Sequence, residues 1–202
     1  SALPGCGCVD PTRSALLLAQ WRRIQHRKRR RANCPMSKPV TQRWTPAVSV
    51  AAIAEHDGRF LLVEEETPEG LQLNNPAGHL DPGESPLEAV IREALEETAR
   101  TFVPSTFLGV YMARFVRPAR NQDVTYVRLA FSGAVSEVID GRSLDAGIVR
   151  TVWMTADEVR ATSARHRSPL VLRCIEDHLA GRQLPLQAIY THASLYKPDI
   201  KG

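Results

Sequence analysis

The chain has 202 residues, of which 43% are hydrophobic and 24% are charged, and its formal net charge is +4 at pH 7. This length accommodates one well-buried domain with some appendage, but it is too short for two domains of full size. No apolar run approaches the roughly 20 residues that a membrane-spanning helix needs. We therefore expect one globular domain and no insertion into a membrane.

The charge is divided unevenly along the chain. Residues 1–43 contain ten Lys and Arg residues against one acid, Asp10, whereas the remainder contains 16 basic and 21 acidic residues. Such a block of like charge, with scattered prolines and no apolar period, is typical of a solvated tail. We expect residues 1–43 to be a basic, disordered extension; the alternatives are a nucleic-acid arm and an Arg-rich targeting segment. Met36 is a candidate translation start, which would leave residues 1–35 outside the native protein.

The four cysteines, at positions 6, 8, 34 and 174, lack the two-residue gaps of zinc ribbons and redox motifs. The apolar run at residues 15–19 is a poor signal peptide, because the basic cluster follows it instead of preceding it. We therefore expect a reducing, cytoplasmic location.

From residue 44 onward, the pattern favours alternating strands and helices. Two β-rich runs, residues 48–54 and 59–64, flank Asp57-Gly58, which is typical of a hairpin turn. After a loop rich in Pro and Gly, residues 86–100 show helical apolar spacing, with Ser85 as N-cap and Pro86 as first residue. Further strands are predicted at residues 107–115, 124–135 and 148–154, and further helices at 156–162 and 169–179. This interleaving favours an α/β fold, as an α/β/α sandwich.

The predicted helix at residues 86–100 carries three closely spaced acids. Glu93, Glu96 and Glu97 stand at positions i, i+3 and i+4, so their carboxylates converge on one helical face. Carboxylates this close raise one another's pKa unless a cation lies among them. Hard oxygen ligands favour Mg²⁺, for which Mn²⁺ can substitute, and such ions also bind phosphate oxygens. The alternative is a solvated helix stabilised by ion pairs, without a metal.

The wider spacing decides between these two interpretations. Gly78 is followed after five residues by Glu84, and after seven more by Arg92, which opens the string Arg-Glu-Ala-Leu-Glu-Glu. This order resembles the Nudix box, and it arises by chance in about one in a hundred thousand such chains. Ala99 stands where the family usually has Gly, and Arg100 where it has an aliphatic residue. Because Gly there serves to end the helix, we expect Ala99 to alter the helix end and to leave the ligands in place.

The resemblance implies a set of metal ligands and catalytic groups. The implied metal ligands are Glu93, Glu96, Glu97 and the carbonyl of Gly78. Arg92, which can also pair with Glu88 or Glu96 on its own helix, is implied to pair with Glu84 and so fix the loop against the helix. Either Glu93 or Glu96 acts as general base on a metal-activated water, and the residues alone do not choose between them. His79 is a candidate phosphate contact, and four loop acids are alternative bases: Asp123, Glu137, Asp140 and Asp145.

The similarity extends beyond the box, over residues 44–192. Short strings at residues 44–46, 62–65, 75–80, 167–171 and 184–186 look like the bacterial phosphatase NudJ branch of the family. The resemblance implies a Nudix-type α/β/α sandwich with a mixed sheet over residues 44–192, followed by a C-terminal tail at 193–202.

The activity that the resemblance implies is that of a Mg²⁺-dependent hydrolase acting on phosphorus-containing acid anhydrides. Its implied partners are small molecules: nucleoside di- or triphosphates, or the pyrophosphate ester of the thiamine pyrimidine precursor. One alternative is a Nudix domain that binds a nucleotide effector without hydrolysing it. The other is a nucleic-acid-binding protein led by the basic extension, which no aromatic-rich face supports. Release of orthophosphate or of pyrophosphate, and a monomer or a homodimer, all remain open.

Overall fold

The computed structural model describes residues 43–117 and 121–196. The predicted extension, apart from Arg43, lies outside these residues, as does the predicted tail beyond residue 196. The chain divides after Trp44, and all the elements below belong to the second unit, Thr45–Gly202. None of the helices in the described ranges is long and apolar enough to cross a membrane.

Within these residues the chain forms seven strands and three α-helices. The strands are β1 (Ala47–His56), β2 (Arg59–Thr67), β3 (Gly70–Asn74), β4 (Ala77–His79), β5 (Phe102–Arg117), β6 (Gln122–Val135) and β7 (Ile148–Thr155). The helices are α1 (Pro86–Thr98), α2 (Ala156–Ala161) and α3 (Leu170–Leu179). The sequence-based prediction made no assignment for β3, placed β4 within the loop before α1, and extended the first helix two residues too far.

The predicted hairpin between β1 and β2 is present, but its two strands soon separate. Asp57 and Gly58 take φ values of 49° and 72°, as a tight hairpin turn requires. The ladder between the strands has only the pairs Glu55 with Phe60 and His56 with Arg59. Beyond them β1 pairs in parallel with β6 and antiparallel with β4, whereas β2 pairs antiparallel with β3 and β7. The sheet is therefore mixed, as expected, and it opens into a cleft away from the hairpin turn.

Both faces of the sheet are covered by helices. Val50, Ala52 and Ala54 of β1 pack with residues of α1, whereas the alternate residues Ala51 and Ile53 pack with residues of α3. Alternate residues of a strand point to opposite faces, so a strand buried on both faces is apolar throughout. This explains the unbroken apolar run in β1, and it confirms the α/β/α sandwich.

Helix α1 begins with the predicted N-cap. The Ser85 hydroxyl accepts a hydrogen bond from the Glu88 N–H at 3.3 Å, and the Glu88 carboxylate accepts one from the Ser85 N–H at 2.7 Å. This reciprocal pair satisfies two backbone donors that the first helical turn otherwise leaves unpaired.

We expect Ser85→Ala to lower the free energy of unfolding by about 1 kcal/mol, since the cap loses its acceptor. In a domain of this size that loss corresponds to a fall of about 2–4 °C in Tm. Ser163→Ala, at an exposed serine in a short 3₁₀ helix, is the matched control. Equal melting of the two variants in a thermal scan would show that the cap contributes nothing.

Helix α1 ends in a left-handed residue. Ala99 has φ 53° and ψ 30°, and its N–H donates to the Leu95 carbonyl at 3.1 Å. The next residue, Arg100, lies over the Trp153 ring at 5.7 Å and donates to the Ser136 carbonyl at 2.7 Å. The alanine therefore adopts the backbone conformation that glycine usually supplies at a helix end.

Candidate active site

A cavity of about 370 Å³ opens in the cleft between the separated strands. Its acidic lining is formed by Glu65 of β2, Glu93 and Glu97 of α1, and Asp145 of the loop before β7; we call the last three the carboxylate set. Its basic lining is formed by Arg117, Arg128 and Arg167, which we call the arginine set. A volume of this size is within the range of small-ligand sites.

Two of the three predicted helical carboxylates line this cavity. One helical residue turns by roughly 100°, so Glu97 is offset from Glu93 by roughly 40° and Glu96 by roughly 60° to the other side. Glu93 and Glu97 are each 9% exposed and line the cavity, whereas the more exposed Glu96 is not among its lining residues. The structure thus brings Glu93 and Glu97 together and places Glu96 beside Arg92.

Arg92 is the centre of the polar network behind the cavity. Its guanidinium donates to both carboxylate oxygens of Glu84 at 2.6 and 3.0 Å, to Glu93 at 2.8 Å and to Glu96 at 3.0 Å. The fifth donor bonds the His79 carbonyl at 3.0 Å. All five N–H donors of the side chain are therefore used. Arg92 ties the end of β4 and the loop before α1 to two acids of the helix.

Glu84 holds the other side of this network. Its carboxylate also accepts the Asp81 N–H at 2.7 Å. The hydrogen bonds from Arg92, and to a smaller extent the one from the Asp81 backbone, lower the pKa of Glu84. The predicted pairing of Arg92 with Glu84 is thus present in the structure together with the pairing to Glu96. The loop is fixed by a charged and bidentate contact.

Gly78 makes room for Glu93. A Cβ atom at position 78 would lie 2.0 Å from the Glu93 Cδ and 2.1 Å from each of its carboxylate oxygens. The Glu93 carboxylate therefore rests directly on the backbone of β4. The glycine of the motif is needed at this point for close approach of a side chain, independently of any turn.

Glu97 lies deeper and is held by the same strand. Its carboxylate accepts the Ala77 N–H at 2.8 Å. Burial raises the pKa of Glu97 to about 8, and the nearby Glu93, Glu65 and Asp145 add to the rise. Burial also raises the pKa of Glu93, and this effect is larger than the opposing effect of the hydrogen bond from Arg92.

The donor set fits a hard dication in its chemistry. Buried carboxylates that repel one another are stabilised by a cation, and Mg²⁺ accepts oxygen ligands of this kind. In the described parts of the chain, however, no three His, Cys, Asp or Glu side chains already lie in a ligating cluster. The Glu93 and Glu96 carboxylates each accept from Arg92 through one oxygen, so Arg92 does not occupy the second oxygen of either group.

Of the other residues that the sequence analysis proposed for the site, two line the cavity and three lie outside its lining. His79 and Asp145 line the cavity, and the Asp145 N–H donates to the Glu96 carbonyl at 2.9 Å. Asp123 is engaged by Arg114 at the surface, and Glu137 and Asp140 are exposed. Asp145 is therefore the one of the four loop acids that lies among the residues lining the cavity.

Several lining residues were missed by the sequence analysis. On β5 and β6 they alternate, with Phe115 and Arg117 on one strand and Tyr126 and Arg128 on the other. Residues two apart share a face of a strand, so an Arg within the apolar run of β6 was a detectable signal. Arg167 belongs to the string at residues 167–171, which contributed to the family resemblance, but the sequence analysis assigned no function to this residue.

The NUDIX domain family model matches residues 43–174. The chain belongs to the Nudix family. This Nudix domain is a hydrolase acting on phosphorus-containing acid anhydrides, and Nudix hydrolases generally use divalent metal ions.

Relatives of this Nudix domain agree with the predicted branch. The chain is 32% identical over 144 residues to the protein named Phosphatase NudJ from Escherichia coli strain K12 and to that from Shigella flexneri. The match covers 71% of this chain and 90% of each relative. The predicted resemblance to this branch is therefore confirmed.

Solved structures agree with the fold. A NUDIX hydrolase from Nitrosomonas europaea is 46% identical, with a TM-score of 0.66, over 73% of this chain and 98% of that one. A MutT NUDIX hydrolase from Burkholderia pseudomallei is 22% identical, with a TM-score of 0.53, over 66% and 98% of the two chains. The second likeness shows the fold alone.

Proposed function

We propose that the protein hydrolyses nucleoside di- or triphosphates, or a related small organic pyrophosphate such as that of the thiamine pyrimidine precursor, with Mg²⁺ as cofactor. The observation that carries this proposal is the buried pair Glu93 and Glu97 on the wall of a ligand-sized cavity. The relatives named Phosphatase NudJ support action on phosphate compounds.

In this proposal Glu93 and Glu97 hold the metal together with the Gly78 carbonyl, and Glu96 joins them once its side chain turns from Arg92 toward the cavity. The metal, when bound, neutralises charge on the phosphoryl oxygens and lowers the pKa of a bound water. Gly78 leaves the space in which the Glu93 carboxylate lies, and the Ala77 N–H orients Glu97. Both contacts come from β4, so one short strand positions the two ligands.

In this proposal the proton of the attacking water passes to Glu93 or to Glu96. Either carboxylate is held by Arg92 at hydrogen-bond distance, and Arg92 is held by Glu84. Arg92 and Glu84 are therefore positioning residues, because they act on the reaction through the two acids. Displacements of about an ångström in such a network are enough to lower a rate by roughly a hundredfold.

Aromatic rings in the cavity support a substrate with a planar ring. Tyr126 lies between His79 and Phe115, with ring centroids 5.9 and 5.7 Å away. All three side chains line the cavity. Nucleobases and pyrimidines stack on such side chains with little dependence on ring identity.

We expect the protein to hydrolyse members of this substrate class with Mg²⁺ or Mn²⁺ and to lose turnover in EDTA. The reason is that the buried carboxylates repel a negatively charged phosphate unless a cation lies between them. A substrate screen should score orthophosphate and pyrophosphate separately, with Mg²⁺ restored after chelation as the control. Turnover that EDTA leaves unchanged contradicts the proposed use of metal. Saturable nucleotide binding without turnover at any metal concentration supports the effector-binding alternative instead.

A further inference from the structure

Arg128 is a buried arginine whose hydrogen-bonding capacity is poorly used. It is 7% exposed, and its guanidinium contacts the side-chain oxygens of Asn74 and Asn75 at 3.4 Å each. It also contacts the thiol of Cys174, which is a weak acceptor. Arg92, by comparison, makes five hydrogen bonds of 2.6 to 3.0 Å. Arg128 therefore has donors left over, in the lining of the cavity.

Burial of such a cation is costly unless a charged partner compensates it. Desolvation lowers the pKa of Arg128, and Cys174, followed by the charges of Glu97 and Glu65, opposes this change. No hydrogen bond joins Arg128 to either carboxylate among the described contacts. A guanidinium with unused donors that faces a cavity is suited to an anionic ligand, and its planar fork matches two phosphate oxygens.

Two further arginines line the same cavity with loose partners. The nearest described carboxylate contact of Arg117 is Glu69 at 3.8 Å, and that of Arg167 is Glu65 at 3.6 Å. Arg117 also lies over the Phe115 ring at 5.7 Å, and Arg167 donates a long hydrogen bond of 3.4 Å to the Gln72 side-chain oxygen. Both side chains are about one-third exposed, at 31% and 35%. They remain able to turn toward a ligand, whereas Arg128 is fixed within the sheet.

We propose that Arg128 forms the floor of a phosphate subsite, with Arg117 and Arg167 at its rim, and that this subsite binds a substrate phosphoryl group directly. The inference rests on the proposed function and deepens it, since it separates phosphate binding by the arginine set from metal binding by the carboxylate set. Aromatic residues on the same strands, Phe115 and Tyr126, then lie beside the phosphate and receive the planar ring.

The probe for this subsite is methylenediphosphonate, whose P–C–P bridge resists hydrolysis. Its Kd is measured by calorimetry in EDTA and again with Mg²⁺. We expect Arg128→Gln to raise the Kd at least tenfold in each buffer in which the unaltered protein binds, on the scale of losing a charged hydrogen bond. Arg128→Lys keeps the positive charge but loses the planar fork of donors. Its Kd for the probe should therefore lie between that of the unaltered protein and that of Arg128→Gln. In the substrate assay KM should rise more than kcat falls.

The matched control is Arg114→Gln. This variant removes one positive charge, as Arg128→Gln does, but from a residue of β5 outside the cavity lining. Arg114 alternates along the strand with Phe115 and Arg117, which line the cavity, and it pairs with Asp123 at the surface. Its Kd should equal that of the unaltered protein. If Arg128→Gln does not fold by circular dichroism, the double variant Arg117→Gln/Arg167→Gln decides, because both of its positions are partly exposed.

The outcomes separate this inference from the proposed function. An unchanged Kd in the deciding variant overturns the subsite, even when hydrolysis is normal, and so does a failure of the unaltered protein to bind the probe in either buffer. Arginine-dependent binding without hydrolysis of any substrate supports the subsite and counts against the proposed function.

Discussion

Replacing Glu97 with Gln is expected to lower kcat by about a hundredfold or more, on the scale of removing a major electrostatic contact to a transition state. Gln has the shape of Glu, and its side-chain carbonyl can accept the Ala77 N–H that Glu97 accepts at 2.8 Å. The variant therefore removes charge from the cavity while it preserves the backbone contact. The measurement is steady-state kinetics across a range of Mg²⁺ concentrations.

We do not expect the loss of kcat in Glu97→Gln to be accompanied by a loss of thermal stability. Glu97 is buried near Glu93 and Asp145, so above about pH 8, where its carboxyl group is ionised, a neutral side chain relieves repulsion between carboxylates in the metal-free protein. We expect the Tm in EDTA to be at least as high as that of the unaltered protein. Glu88→Gln is the matched control, since it makes the same change at an exposed position of α1 and preserves a capping box. Equal kcat for the two variants would show that Glu97 is not a ligand.

Gly78→Ala is expected to have an effect of similar size through shape alone. The added methyl group would lie 2.0 Å from the Glu93 Cδ, so the carboxylate must move away from β4. Because the obstructing atoms are the end of a flexible side chain, the fold survives and the geometry of the site does not. We expect kcat/KM to fall by about a hundredfold or more with a modest change in Tm.

A double-mutant cycle tests the cause of this loss. If Gly78→Ala acts by displacing Glu93, it should lower kcat little further in a Glu93→Ala background, and its effect on Tm should disappear there. Additive losses in the cycle would show that the methyl group disturbs the site by another route. Both variants must first be shown to be folded by circular dichroism.

Local chemistry made much of this fold predictable. The turn at Asp57-Gly58 and the start of α1 at Ser85 depend on nearby residues, and both lie where the sequence placed them. The separation of β1 from β2 depends instead on pairing with β6 and β7, which lie far along the chain. Strand β4 was missed because three residues between Pro76 and the following loop carry too little pattern to indicate a strand.

The site was predictable on its acidic side and much less so on its basic side. The spacing of the motif places Glu93 and Glu97 on one helix, but only the packing of α1 against β4 shows that Glu96 faces Arg92 instead of the cavity. The arginine set comes from β5, β6 and the segment before α3, and a single sequence does not show that these segments meet.

The end of α1 shows that a glycine position of the motif corresponds to a backbone conformation. Position 99 departs from the family pattern by residue type, yet its backbone has the left-handed dihedral angles that the pattern serves. Alanine reaches this region at a steric cost of roughly 1–2 kcal/mol, and β-branched side chains are largely excluded from it. The structural requirement at the end of α1 is therefore a left-handed backbone conformation, which glycine adopts with the least strain.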